Sequence, residues 1–105
     1  MAAQPLACDL FALTKEQRHQ HAALIEQLIR MIQDVQELAD GYMLRWRLDD
    51  QSWQTVTDWI QLERRCCPFL TFTLRLEPGE PLALQLTGPG GVKEFLTAEL
   101  PQLMR

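Results

Sequence analysis

The chain has 105 residues, 47% of them hydrophobic, and a formal net charge of −4. That length suits one domain with a real core, and that apolar share excludes a disordered chain. The acidic balance, with Arg45, Arg47, Arg64 and Arg65 scattered in ones and twos, excludes a basic face for nucleic-acid phosphates.

No apolar run approaches the roughly 20 residues of a membrane span. Met1-Ala2-Ala3-Gln4-Pro5 has neither the basic start nor the apolar core of a signal peptide. The expectation is a cytoplasmic protein with no membrane partner. Three cysteines form an odd set, which argues against a disulfide framework. In a reducing compartment they are structural, catalytic, redox-active or metal-binding.

Residues 1–13 have no period and read as an arm that carries Cys8 and is anchored by Leu10, Phe11 and Leu13. Residues 14–105 read as a single α+β domain. Thr14-Lys15-Glu16-Gln17 has the spacing of a capping box. His21, Leu24, Ile25, Leu28, Met31, Ile32, Val35, Leu38 and Ala39 then recur every three or four residues. This predicts one unbroken helix that stops at Asp40-Gly41. At about 1.5 Å per residue it would run on the order of 35–40 Å. That is long for so small a domain, so part of its apolar stripe is expected to meet a second copy in a homodimer.

Tyr42 to Leu48 alternates, with Tyr42, Leu44, Trp46 and Leu48 inward, and predicts a strand. Asp49-Asp50-Gln51-Ser52 offers two helix N-caps. A second helix follows from Trp53 to about Arg65, with Trp53, Val56, Trp59 and Ile60 as its inner stripe. Pro68 forces Cys67 out of the helical region. Phe69–Leu76 and Leu82–Thr87 alternate again and form a hairpin around Glu77-Pro78-Gly79-Glu80-Pro81. Gly88-Pro89-Gly90-Gly91 lacks the Gly-Lys-Ser/Thr ending of a phosphate loop and reads as a tight turn. It leads into a short helix with Val92, Phe95 and Leu96 inward, ended by Pro101. Trp46, Trp53 and Trp59 are expected to build the core under the sheet.

The predicted order is helix, strand, helix, strand, strand, helix. That is an α+β two-layer sandwich with a three-stranded sheet, ferredoxin-like in part, whose third strand lies between the first two. The strand-helix-strand step is expected to cross over right-handed.

Glu63 stands three residues before Cys66 and four before Cys67, so both sulfurs share its helix face. A carboxylate on an apolar stripe is costly unless something pairs with it. Glu63 either orients the thiols or pairs with a buried Arg or with backbone amides at the helix–strand corner. The adjacent cysteines read three ways. They are small apolar core residues, or ligands that with Cys8 bind a soft ion such as Cu(I), Zn(II), Hg(II) or As(III), or redox or nucleophilic groups. No Cys-x-x-Cys or His-x-x-x-His supplies standard zinc spacing. Arg64 and Arg65 would favour a thiolate, whereas Glu63 and the helix C-terminus would oppose one, which weighs against cysteine catalysis. His21 lies on the apolar stripe of the first helix and His19 lies off it. His21 reads first as a packed or capping residue. In the metal-site reading Glu63, Arg64 and His21 stand behind the sulfur ligands.

Glu63-x-x-Cys66-Cys67-Pro68-Phe69, with Gly41-Tyr42 before it and Thr87-Gly88-Pro89-x-Gly91-Val92-Lys93-Glu94-Phe95-Leu96 after it, resembles a family of small bacterial proteins of uncharacterised function. The resemblance runs from about Cys8 to Leu96. It implies a bacterial cytoplasmic protein and makes Cys8, Glu63, Cys66 and Cys67 the positions to test. It implies no substrate. The leading expectation is a small cytoplasmic protein that binds or senses a soft metal or metalloid ion through Cys66, Cys67 and Cys8. The alternatives are a structural or interaction module with packed cysteines and, more weakly, a thiol redox protein.

Overall fold

The computed structural model describes residues 6–101. The leader reading of Met1–Pro5 therefore lies outside the described residues.

The capping box opens the first helix, α1 (Lys15–Met31). Thr14 Oγ1 accepts from the Gln17 amide at 3.1 Å, and Gln17 Oε1 accepts from the Thr14 amide at 3.0 Å. His21, Leu24 and Leu28 form its buried face. The helix does not continue to Ala39. Residues Ile32–Leu38 form strand β1, which pairs antiparallel with β2 (Gly41–Trp46). The periodicity misled because the register slips between Ile32 and Asp34. That extra residue lets Ile32 and Val35, three apart, both face the core opposite Trp46 and Leu44. A helix would have used the same spacing. Leu28 O, one of the last carbonyls of α1, accepts from Trp46 Nε1 at 3.1 Å, which caps the helix from the sheet. At 17 residues α1 is about 25 Å long. The excess helix length behind the expected second copy is absent.

Asp40-Gly41 is accordingly part of a hairpin and not a helix stop. Gly41 is needed for a different reason. A Cβ there would lie 1.8 Å from the carbonyl oxygen of Leu86.

Helix α2 (Asp50–Cys66) starts three residues before the expected Trp53 because Asp49 caps it, accepting from the Ser52 amide at 2.8 Å. Its buried face is Ser52, Thr55, Val56, Trp59, Leu62, Glu63 and Cys66. Trp53 falls off that stripe and is 39% exposed, so only Trp46 and Trp59 build the core. Strands β3 (Thr71–Arg75) and β4 (Leu82–Thr87) follow, then α3 (Val92–Glu99).

The sheet order is β1-β2-β4-β3, antiparallel throughout. The α+β class stands, but among the described residues the sheet has four strands and not three, and the element order gains a strand between the first two helices. β4 lies between β2 and β3, as the partial ferredoxin-like reading required. Leu44, Trp46, Leu82, Leu84 and Leu86 cover one sheet face and pack in a single core with Leu28, Val56, Trp59 and Leu96 of the helices. The opposite face is polar, with Arg45 held by Asp34 at 2.6 Å and by Gln36 at 2.8 Å. Leu48 and Leu76, expected inward, lie beyond the strand ends and are exposed. Among the described residues no helix is long and apolar enough to cross a membrane.

Candidate thiol–carboxylate site

The site is built where α2 ends. Cys66 is its last residue, and the Cys67 amide closes the final helical bond to Glu63 O at 2.8 Å. Pro68 then turns the chain toward β3. Glu63, Cys66 and Cys67 therefore share one face, and that face is wholly inside: each residue has 0% exposure.

The arm supplies the third sulfur. The amide of Asp9 donates to Cys66 O at 2.8 Å, which ties the arm to the end of α2. Asp9 Oδ1 accepts from the Phe11 amide at 3.1 Å and opens a short 3-10 turn, Leu10–Ala12. Leu13 is buried, and Arg18 of α1 donates to its carbonyl at 2.9 Å. Leu10 and Phe11, expected as anchors, are exposed; the backbone bond and Leu13 do that work. Cys8 is thereby held half-buried beside the other two sulfurs.

All four groups converge on one oxygen. The thiols of Cys66 and Cys67 each donate to Glu63 Oε1 at 3.4 Å, and Cys8 Sγ lies 3.9 Å from it. Cys66 Sγ and Cys67 Sγ are 3.8 Å apart. His21 Nε2 reaches the same Oε1 at 3.0 Å, and because an ionised carboxylate only accepts, the imidazole is the donor. Glu63 Oε2 is buried without a hydrogen-bond partner among the described residues.

Sequence reasoning missed Glu99. It continues the Val92–Phe95–Leu96 stripe of α3, an acidic residue on an apolar face, which is the same anomaly that singled out Glu63. One of its carboxylate oxygens lies 3.9 Å from Cys67 Sγ, and the other is buried without a partner among the described residues. Ligand atoms of His21, Glu63 and Glu99 lie within 4.8 Å of one another.

The charges arrange themselves accordingly. Burial opposes ionisation of Glu63, but the His21 hydrogen bond, the Glu99 contact and the Cys66 thiol together hold its carboxyl below the ordinary value. Burial and then the charge of Glu63 push Glu99 up to about 10, so it is a neutral acid at pH 7. Burial, a hydrogen bond with Cys8 and the Glu63 charge raise the Cys66 thiol. The hydrogen bond with Cys8, burial and the two carboxyl groups raise Cys67. Cys8, with the Cys67 side chain beside it favouring its thiolate, is lowered. The half-buried thiol is thus the first to ionise.

Cys8, Glu63, Cys66 and Cys67 offer ligand atoms that all lie within 4.8 Å of one another, a set that can hold a metal ion. Two sulfurs bonded at about 2.3 Å to a tetrahedral ion stand about 3.8 Å apart. The Cys66–Cys67 separation already has that value. His21 is brought to the cluster through Glu63, whereas Arg64 and Arg65 are exposed. The Gly88–Gly91 segment makes the tight turn, with Gly91 at φ +95° as the N-cap of α3. No protein-family model, curated protein or solved structure matches this chain.

Proposed function

We propose that this chain is a small cytoplasmic protein that binds, and so sequesters or senses, one soft metal or metalloid ion through Cys8, Cys66 and Cys67. One observation carries the reading. Three sulfurs from two distant segments meet around a single buried carboxylate oxygen. Core packing alone would not require a backbone bond that seats Cys8 over the pair. Thiolates select soft ions. Glu63 orients the sulfurs, and His21 fixes Glu63, as outer partners of metal ligands do.

Native mass spectrometry of the fully reduced protein with arsenite, zinc or copper(I) tests this. The expected result is one ion per chain for at least one of them. In Cys8→Ser the affinity should fall by more than the roughly 10–100-fold that loss of an outer partner costs. A chain that takes up none of the three ions contradicts the proposal.

The complete burial of Cys66 and Cys67 favours a second reading, a structural or interaction module in which the cysteines are packing. That reading predicts no ion uptake and thiols inert to a polar reagent in the native state.

A further inference from the structure

The three helices meet at a polar point that core packing does not call for. α1 brings His21, α2 brings Glu63 and α3 brings Glu99, and their ligand atoms lie within 4.8 Å of one another. His21 and Glu63 are buried, Glu63 completely, and Glu99 is half-buried. Apolar side chains would fill the same space and leave no polar atom to satisfy.

Two oxygens of this group stay unmet. Glu63 Oε2 and Glu99 Oε1 are buried, and no hydrogen-bond partner reaches either among the described residues. In a native fold such atoms mark strain, chemistry or a bound species. The backbone gives no sign of strain, since no described residue other than glycine has a positive φ. Nor does any lysine or arginine pair with either carboxyl group among the described residues. Two buried carboxyl groups side by side need a positive partner, either a proton or a cation. A proton on Glu99 serves the ion-free chain, and a bound ion takes its place, because metal ligands give up their protons.

The geometry suits an ion. His21 Nε2 and Glu63 Oε1 are 3.0 Å apart. Two ligand atoms each about 2.1 Å from an octahedral ion also stand about 3.0 Å apart. The donor types set the class. Thiolates take soft ions, whereas carboxylates suit manganese(II) and imidazole suits first-row divalent ions in general. We infer that His21, Glu63 and Glu99 form a second cation site, separate from the sulfurs, for a first-row divalent ion that takes oxygen and nitrogen ligands. The inference stands without the three-sulfur reading. It is compatible with it, because there Glu63 orients the thiols and does not bond to the soft ion.

Manganese(II) is the probe, since it has little affinity for thiolates. Reduced full-length protein is titrated with manganese(II) at pH 7, with and without an equivalent of arsenite, and the unbound ion is counted by electron paramagnetic resonance. The expected result is one manganese per chain in both series. Glu99→Gln keeps the side-chain shape and should weaken manganese binding at least about tenfold, the smaller cost of losing even an outer partner of a metal. Urea unfolding of the variant checks that it is folded. No manganese uptake, uptake of equal strength in Glu99→Gln, or release of manganese by bound arsenite would each overturn the inference. Arsenite uptake in the same samples reports separately on the three-sulfur site. A chain that holds manganese and no arsenite keeps the second site and loses the first.

Discussion

Gly41→Ala is expected to destabilise the protein by at least about 3 kcal/mol, a large share of a small domain's stability. The added methyl would sit 1.8 Å from Leu86 O and 2.9 Å from the Cα of Thr87. Both are backbone atoms of β4, the strand that pairs with β2 at this point, Gly41 opposite Thr87. No side-chain rotation relieves the contact. The central strands must part, and Leu44, Leu84 and Leu86 of the core part with them. Gly90→Ala is the control. Nothing lies within 4 Å of a Cβ there, and the change should stay within about 0.5 kcal/mol. Urea unfolding of the two variants checks the difference. Equal midpoints would contradict the strand pairing.

Glu99→Gln is expected to do the opposite and stabilise the protein near neutral pH. Glu99 titrates at about 10 in the folded chain, raised by burial and by the charge of Glu63. Its unfolded value is about 4.3. Between those limits the folded state holds a proton that the unfolded state lacks, so wild-type stability falls as pH rises. The contribution is fully present below the unfolded value and declines across the whole interval up to the folded one. By pH 7 the loss is at most about 4 kcal/mol, and residual contact with solvent brings it to about 2 kcal/mol. Glutamine needs no proton and keeps toward Glu63 the donor that the neutral Glu99 acid already supplies. The variant should therefore gain stability steadily over wild type from pH 5 to pH 8, measured by urea unfolding at each pH. Depression of Glu63 acts only at lower pH, where its stabilising contribution is lost as pH falls through its folded value. Parallel stability curves for the two proteins would show that Glu99 carries no such proton.

The sequence made the heart of the site legible through one physical conflict, a carboxylate on an apolar stripe three and four residues before two cysteines. Burial of Glu63, Cys66 and Cys67 on one face follows from helix geometry alone. Glu99 broke the same rule on α3, but a lone acid in the last turn of a short helix draws less notice. The seating of Cys8 had no sequence signature, because the bond that fixes it runs between two backbone groups, Asp9 N–H and Cys66 O. The hairpin alternation of β4 and the caps Thr14 and Asp49 were readable. Strand β1 was not, since its register slip gave Ile32 and Val35 a helical spacing. Only the unmet pairing of β2, which would otherwise have been an edge, argued for a strand there.

X-ray absorption at the arsenic edge of the arsenite-treated, fully reduced protein tests the central claim most directly, because it counts the atoms bonded to the ion. Three sulfur neighbours and no oxygen is the predicted shell, from Cys8, Cys66 and Cys67. A spectrum that keeps the three oxygens of free arsenous acid, from a chain that takes up neither zinc nor copper(I), would contradict the account and return the cysteines to the core.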